Sequence, residues 1–311
     1  MAASQIVTQL LYCGVLLAVG FLCGRCGILD VRANRGITDL VVLIVTPCVI
    51  FCSYQIDYSA QLAENLLSAL LLSAVCVAVQ TACAYLFVRR RGERLALERL
   101  SVIFGNCGFM GLPLVQSLCG AEGILYFTAY ITCTNSLLWT HGVLMVSGGE
   151  DHCAQLRHLL SPALFSVLLG LGCFLLRIRV PATVLAPAEM LAALNTPLAM
   201  LVAGVSIAQS DYRHVFSTAR AYYIVLLRNV AAPILCMLAI CLFPRAMRRP
   251  AEVMIILSAC PAATICTMFA QRYKKDASYA AQLFTLSTLF SIVSIPLLFL
   301  LAGAVVGGFF Q

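Results

Sequence analysis

Hydrophobic residues fall into ten stretches along the chain, separated by short connections that carry most of the charged residues. Each stretch holds roughly 20 residues, the length that an α-helix needs to cross a hydrocarbon layer about 30 Å thick. We expect helices in all ten, because an isolated strand would leave backbone N–H and C=O groups unsatisfied in lipid. The pattern therefore predicts an all-α polytopic membrane protein with one domain, residues 1–311. Its spans, numbered in chain order, are 5–24, 37–55, 63–88, 97–118, 123–147, 159–178, 188–209, 220–243, 252–270 and 277–306.

The ten spans form two similar sets of five on either side of a polar connection, 147–158. Span 2 contains Thr46-Pro47 and span 7 contains Thr196-Pro197, and an offset of about 154 residues aligns the later features of the two sets. Because five crossings leave the chain on the opposite side of the membrane, the second set must insert upside down. The sequence therefore predicts inverted repeats, 1–147 and 159–311, related by a pseudo-two-fold axis in the membrane plane.

Spans 4 and 9 are both interrupted by residues that form poor continuous helices. In span 4 the interruption runs from Gly105 to Pro113 and holds three glycines and one proline. In a helix interior glycine costs about 1 kcal/mol and proline about 3 kcal/mol relative to alanine. The matching part of span 9 is Ala259-Cys260-Pro261-Ala262-Ala263-Thr264. Interrupted helices at matching positions are typical of a transporter's midplane binding site, and their half-helix N-termini favour an anionic ligand.

The candidate substrate-binding residues lie at these interruptions and at two polar positions inside other spans. The glycines and prolines could alternatively serve only the close packing of helices, and Asn135 in span 5 could be an interhelical hydrogen-bonding residue. Arg228, well inside span 8, either pairs with a carboxylate substrate or extends its side chain to the nearby cytoplasmic surface. The candidates are Gly105, Asn106, Cys107, Gly108, Pro113, Asn135, Arg228, Cys260, Pro261 and Thr264.

Composition and charge agree with a membrane protein. Hydrophobic residues make up 62% of the 311 residues, charged residues 11%, and the mean hydropathy is +0.97; soluble domains are about 45–50% apolar and about 25% charged. These values exclude a soluble enzyme, a nucleic-acid-binding protein and a secreted disulfide-rich module. Odd-numbered connections carry 14 Lys and Arg residues and even-numbered ones carry 5. The positive-inside rule then places both termini on the extracytoplasmic side.

Motifs for enzymatic or metal chemistry are absent from the sequence. Most of the 16 cysteines lie inside apolar runs, where a thiol behaves as a small hydrophobe, and the histidines never have metal-ligand spacing. The chain contains no P-loop, GxSxG or HExxH motif. No span has a carboxylate pair near its centre, which disfavours a proton antiporter built on buried acids. We therefore expect neither an enzyme nor a resident cofactor or metal, and no cleavable signal peptide.

The run Gly105-Asn106-Cys107-Gly108-Phe109-Met110-Gly111-Leu112-Pro113-Leu114 resembles the crossover signature of the auxin efflux carrier (AEC) family. This family contains bacterial organic-anion permeases and the plant PIN auxin exporters. Thr196-Pro197-Leu198 and the segments from Pro261 to Pro296 also resemble it, so the similarity runs through essentially the whole chain. Because only about a dozen residues separate spans 5 and 6, the chain lacks the long central loop of PINs and is closer to the bacterial branch.

The resemblance implies a ten-helix, five-plus-five inverted-repeat fold in which helices 4 and 9 cross at Pro113 and Pro261. Helices 1, 2, 6 and 7 would form a scaffold, and helices 3, 4, 5, 8, 9 and 10 the crossover and transport part. A substrate carboxylate would bind at the crossing with Asn106 as donor. The family often has a polar residue where this chain has Cys260, so the second donor is in question. The resemblance also implies a homodimer formed through the scaffold.

The sequence thus predicts a secondary transporter in the plasma or inner membrane that moves a small organic anion by alternating access. Malonate, malate and related carboxylates, or auxin-like acids, are the substrate classes that the resemblance implies. Coupling to H⁺ or Na⁺ is open at this point. Two alternatives also remain: a sodium-coupled organic-anion symporter resembling the bile-acid symporters, and a membrane receptor or scaffold that transports nothing.

Overall fold

The computed structural model describes residues 2–89, 92–148, 162–209 and 218–305, and within these ranges the chain is helical apart from its connections. We number the helices in chain order, counting each apolar run as one helix where only a turn or a wider helical segment interrupts it. They are α1 Ala2–Arg25, α2 Val31–Ser53, α3 Ala60–Phe87, α4 Leu95–Ile103, α5 Cys107–Ser147, α6 Pro162–Leu175, α7 Ala182–Ala208, α8 Ala219–Ile240, α9 Arg248–Ser258, α10 Ile265–Arg272 and α11 Ala277–Val305.

Six of these helices are long and apolar enough to cross a membrane: α2, α3, α5, α7, α8 and α11. The apolar parts of α1 and α6 are shorter, and spans 4 and 9 are each split, into α4 and the start of α5, and into α9 and α10. The all-α prediction is therefore confirmed for the described residues. Two predicted boundaries are wrong, because the helices of spans 2 and 7 begin before positions 37 and 188. Helix α2 begins at Val31, where Asp30 caps it by accepting a 2.7 Å hydrogen bond from the Ala33 amide. Helix α7 begins at Ala182.

Helix α5 folds back on itself at Gly120. This glycine has φ 62° and ψ −152°, a conformation that is essentially restricted to glycine. A Cβ atom placed on Gly123 would lie 3.0 Å from the Val115 side chain, although eight residues of straight helix would separate the two positions by about 12 Å. Helix α5 therefore changes direction between the residues predicted as the end of span 4 and those predicted as span 5.

Helix α1 packs against α7, and α2 packs against both α6 and α7. The α1–α7 contact is very close because small residues face backbone: a Cβ on Gly20 would lie 2.3 Å from the Leu201 carbonyl oxygen, and one on Gly204 would lie 2.1 Å from the Leu17 carbonyl oxygen. Spacing of small residues by four positions is what allows such an approach in membrane helices. Near this contact, Ala199 and Met200 of α7 pack on Met110 at the start of α5.

The remaining helices surround the two interruptions. Residues of α3, α5, α8 and α9 share one buried apolar cluster, and residues of α4, α8 and α11 share another. The interruptions at 104–106 and 259–264 lie where these clusters meet. Buried side chains on every side therefore hold the non-helical backbone in place.

Candidate functional site

The two interruptions pair with each other through their backbones. The Asn106 amide donates to the Pro261 carbonyl oxygen at 2.7 Å, and the Ala263 amide donates to the Phe104 carbonyl oxygen at 3.0 Å. Gly105 and Ala262 thereby form one antiparallel β-bridge. Backbone groups freed by an interrupted helix must find partners inside a membrane, and here each interruption supplies partners for the other.

Arg228 joins the ends of the two helices that lead into the interruptions. Its side chain is fully buried, and its Nε donates to the Cys260 carbonyl oxygen at 2.9 Å. Its Nη1 donates to the carbonyl oxygens of Val102 at 2.9 Å and Ile103 at 3.2 Å. The Val102 and Ile103 oxygens lie at the C-terminal end of α4, where a helix has carbonyls without intrahelical partners. The Cys260 oxygen lies two residues beyond the end of α9. The guanidinium does not reach the surface, so the alternative of a snorkelling side chain is wrong for this structure.

Gly105 leaves the space that the guanidinium occupies. A Cβ atom on Gly105 would lie 2.0 Å from Arg228 Nη2 and 3.0 Å from its Cζ. Within the described residues Nη2 is buried and has no hydrogen-bond partner. The residue type at position 105 is therefore fixed by a side chain that is distant in sequence.

The local helix geometry explains how Arg228 reaches this position. Leu227–Ala231 is a π-helical turn that ends just before Pro233. Proline lacks an N–H donor and its ring clashes with the carbonyl of the preceding turn, so the helix widens there. The same arrangement occurs at Cys107–Gly111 before Pro113. Such π-turns are frequent at functional sites.

Asn106 stands at the start of α5 with an unused donor. Its side chain is 4% exposed, and within the described residues its Nδ2 has no hydrogen-bond partner. The backbone carbonyl oxygen of Asn106 accepts a hydrogen bond from the Met110 amide at 3.0 Å, and this bond begins the helix. A buried donor without a partner costs about 1–3 kcal/mol. The amide is therefore available to a ligand at a helix N-terminus.

The other predicted residues of the interruptions have different surroundings. Cys107 and Cys260 are buried, and their thiols donate to the carbonyl oxygens of Leu257 at 3.4 Å and Ile256 at 3.6 Å. A Cβ on Gly111 would lie 2.9 Å from Cys260 Sγ. Around Gly108, in contrast, nothing lies within 4 Å of the position of a Cβ. Open space therefore adjoins the first turn of α5, next to Asn106.

The structure brings most, but not all, of the predicted site residues together. Pro113 is buried in the turn after the π-helical segment, Pro261 is buried in the second interruption, and Thr264 is half-buried beside α10. Asn135 is half-buried farther along α5, and within the described residues its side chain has no hydrogen-bond partner. No hydrogen bond joins the Asn135 side chain to either interruption in the described part of the chain.

Asn229 and Ser287 belong to the site, although the sequence analysis did not select them. Asn229 donates to the Ser287 carbonyl oxygen at 2.9 Å and accepts from the Ser287 hydroxyl at 2.6 Å. That hydroxyl accepts from the Ala262 amide at 2.9 Å. The pair thus supports the second interruption from α8 and α11. The signal in the sequence for Asn229 was its position directly after Arg228, an arginine inside a predicted span.

Glu98 is a second functional candidate that the sequence analysis missed. It is 4% exposed at the start of α4, receives a bidentate pair of hydrogen bonds from Arg220 of α8, and accepts from the Tyr279 hydroxyl of α11 at 3.0 Å. Glu252, also buried, occupies the corresponding position at the start of span 9 and pairs with Arg248. The signal in the sequence was the separation of the two glutamates by 154 residues, which equals the offset between the two sets of spans.

Metal-binding geometry is absent from the described ranges. No group of three or more His, Cys, Asp or Glu side chains there could hold a metal ion. The described site instead consists of backbone amides, asparagine side chains and one guanidinium. Such groups bind carboxylates and other oxyanions.

The chain is similar to a family of transport proteins and to two archaeal relatives. The chain matches the model of a family described as membrane transport protein over residues 5–155 and 152–299. An uncharacterized transporter of Methanothermobacter thermautotrophicus is 26% identical over 295 residues, covering 91% of this chain and 94% of the relative. An uncharacterized transporter of Methanocaldococcus jannaschii is 22% identical over 308 residues, with the same coverage. The chain therefore belongs to the membrane transport protein family, which is the auxin efflux carrier family that its span 4 sequence resembles.

Proposed function

We propose that this protein is a secondary transporter of small organic anions that works by alternating access. Its substrates would be carboxylates such as malonate or malate, or auxin-like acids, held where the two interrupted spans meet. Membership of a transport family supports the transporter class. The substrate class rests on the chemistry of the groups at the interruptions.

The proposed architecture is a ten-helix, five-plus-five inverted repeat with spans 4 and 9 crossing at Pro113 and Pro261. The backbone pairing of the two interruptions supports the crossing. Buried glutamates at positions 98 and 252, each at the start of an interrupted span, support the duplication. Helices α1, α2, α6 and α7 would form the scaffold, and the other helices would carry the substrate.

The observation that carries the proposal is the buried amide of Asn106, whose Nδ2 lacks a partner in the described residues. It lies at the N-terminus of α5, beside the open space at Gly108. The first amides of a helix have no intrahelical acceptor and carry partial positive charge. A substrate carboxylate at this point would accept hydrogen bonds from the Asn106 side chain and from these amides.

Arg228 would contribute indirectly. Two of its donors already bind the carbonyls of α4 and α9, so it offsets the negative ends of these helices. This leaves the positive N-terminus of α5 to dominate the potential at the substrate. Its buried Nη2 is also available if the substrate reaches Gly105.

The test is uptake of radiolabelled malonate and malate into proteoliposomes that contain the full chain. Replacement Asn106→Ala should lower kcat/KM by about 10- to 100-fold, because a hydrogen bond to a charged group contributes about 1.5–3 kcal/mol. Asn106→Asp should lower it at least as much, since a carboxylate of the same shape repels the anion. Asn34→Ala is the control, because Asn34 is a buried asparagine that bonds Ser206, away from the interruptions.

Unchanged uptake by Asn106→Ala would remove the site assignment. Binding of malonate to the purified protein without any uptake would instead support a receptor. If neither carboxylate binds nor is taken up, the proposed substrate class is wrong.

A further inference from the structure

A cavity of about 410 Å³ lies at the ends of α2 and α6, and none of the residues of the interruptions lines it. Its walls are the connection 54–60, which joins α2 to α3, and the end of α6. The volume falls in the range of about 300–1,000 Å³ that small-molecule sites occupy. The proposed transport site does not use this cavity.

The residues that line the cavity provide a surplus of positive charge. Arg177 and Arg179 both line it, and Asp57 is its one acidic residue within the described chain. Arg179 pairs with Asp57, while Arg177 pairs with no carboxylate of the described residues. Gln55 adds a buried Nε2 donor that has no partner there, while its Oε1 accepts from the Val180 amide at 3.2 Å.

Arg177 occupies a backbone conformation that favours glycine. Helix α6 ends in a Schellman motif, in which the Ile178 amide donates to the Cys173 carbonyl oxygen at 2.8 Å. The left-handed residue of this motif is usually glycine, but here it is Arg177, with φ +57°. Helix α1 ends in the same way, with Gly27 at φ +75°. Glycine is therefore sufficient for such a turn, and the turn alone does not explain an arginine at position 177. Residues in strained backbone conformations cluster at ligand sites.

The surroundings of Arg177 suit a ligand that has both a charged and an apolar part. Its guanidinium lies 4.7 Å from the centre of the Tyr58 ring, which packs 5.3 Å from the Phe174 ring. The neighbouring side chains of Leu176 and Ile178 are largely exposed and face outward. The cavity therefore opens beside surface that lipid would cover.

We propose that this cavity binds an oxyanion group through Arg177 and Gln55, with Tyr58 beside it. The phosphodiester of an acidic phospholipid and the carboxylate of a soluble organic anion share this chemistry, and the experiment below distinguishes them. An arginine guanidinium binds phosphate and carboxylate oxygens alike. The site would act independently of the transport step proposed above.

The experiment measures the melting temperature of the full chain in neutral detergent, with phosphatidylglycerol or phosphatidylcholine added. We expect phosphatidylglycerol to raise it by roughly 5 °C at 100 times its Kd, and phosphatidylcholine to have less effect. Inorganic phosphate and malonate are tested in parallel, malonate in the Asn106→Ala background so that binding at the proposed transport site contributes as little as possible. A shift with these soluble anions that equals the shift with phosphatidylglycerol would identify a soluble ligand as the source.

Four variants make the test specific. Arg177→Gly should melt at an unchanged or higher temperature without ligand, because glycine relieves the backbone, and should lose most of the anion-induced shift. Gln55→Glu retains the acceptor for Val180 and should also lose the shift. Asp57→Asn should increase it by freeing Arg179. Arg32→Gln, an exposed arginine at the start of α2, is the control that should respond like the wild type.

Equal shifts in the wild type and Arg177→Gly, or no shift with any anion, would overturn the proposal. Should Arg177→Gly fail to fold, Gln55→Glu provides the same comparison. This experiment measures binding at the cavity, so a negative result leaves the transport proposal unaffected. Conversely, loss of malonate uptake in the Asn106→Ala variant does not test binding at the cavity.

Discussion

At the scale of single residues, the unexpected feature is a fully buried arginine whose described partners are carbonyl oxygens and not a carboxylate. A cation inside the membrane is costly. Each helix C-terminus carries about half a negative charge, so the ends of α4 and α9 together offset about one positive charge. Arg228 is thus neutralised by the interruptions that it joins. The location of Arg228 depends on the interruptions, and the geometry of the interruptions depends on Arg228.

Gly105→Ala tests this relation. The added Cβ would lie 2.0 Å from Arg228 Nη2, so the guanidinium must move and release one or more of its three carbonyl partners. Each buried carbonyl left without a donor costs about 1–3 kcal/mol. We expect a fall in melting temperature together with loss of malonate uptake, measured in detergent and in proteoliposomes.

Gly108→Ala is the matched control in the same motif, since its Cβ would meet nothing within 4 Å. It should fold with nearly wild-type stability. Any loss of uptake in this variant would then be an effect on substrate at the open space. Equal stability of the wild type and the Gly105→Ala variant would contradict the role given to Gly105.

At the scale of elements, a few residues determine how helices end, turn and join. Gly120 reverses α5 with φ 62° and ψ −152°, a conformation that costs any other residue about 1–3 kcal/mol. Gly120→Ala should therefore lower the melting temperature or the yield of folded protein. Gly36→Ala, at an exposed position inside α2, should be neutral or stabilising, because alanine favours helix by up to about 1 kcal/mol. Equal effects of the two substitutions would show that the turn is not glycine-dependent.

Glu98 ties the beginnings of three helices, α4, α8 and α11, into one cluster. Glu98→Gln leaves Arg220 partly buried without its carboxylate. Breaking a buried pair costs about 3–5 kcal/mol; because about a quarter of the Arg220 side chain is exposed, we expect roughly 2 kcal/mol. The measurement is the melting temperature of the purified variant.

Asp276→Asn is the comparison for this prediction. The Arg94–Asp276 pair lies in the same cluster, with side chains 50% and 33% exposed, and pairs of that kind contribute about 0–1 kcal/mol. A larger loss of stability in Asp276→Asn than in Glu98→Gln would contradict the importance given to burial.

At the scale of the whole molecule, the charged clusters and the cavity lie at the membrane ends of the helices, and the interruptions lie between them. Glu98 follows an odd-numbered connection and Glu252 follows an even-numbered one. In the predicted topology these glutamates are on opposite faces. The cavity at Arg177 is then on the extracytoplasmic face, together with Glu252.

Labelling of exposed cysteines tests this topology. Cys26 at the end of α1 and Cys241 at the end of α8 are both exposed and free, and seven predicted spans lie between them. A membrane-impermeant maleimide added to intact cells should modify Cys241, whereas Cys26 should react only after permeabilisation, as read by peptide mass spectrometry. Modification of both from outside would mean an even number of crossings, and the reverse pattern would mean the opposite orientation.

The sequence by itself determined the features that local chemistry controls. Apolar runs of membrane length predict the helices, because the bilayer accepts few other structures. Glycine and proline at Gly105–Pro113 and at Pro261 predict the interruptions, because these residues destabilise a helix wherever they occur. The helix start at Val31 was missed because the capping residue Asp30 lies in a polar segment outside the apolar run.

Only the tertiary structure decided which residues meet. Arg228 binds carbonyls 125 and 126 positions away, and Arg220 binds Glu98 across 122 positions. The cavity at Arg177 also combines two distant connections. Hydrophobic periodicity contains no information about such pairs. The sequence pattern around a buried charged residue or a helix end is the same whichever distant residue it binds. Folding brings these groups together, and the desolvation of each then depends on the other.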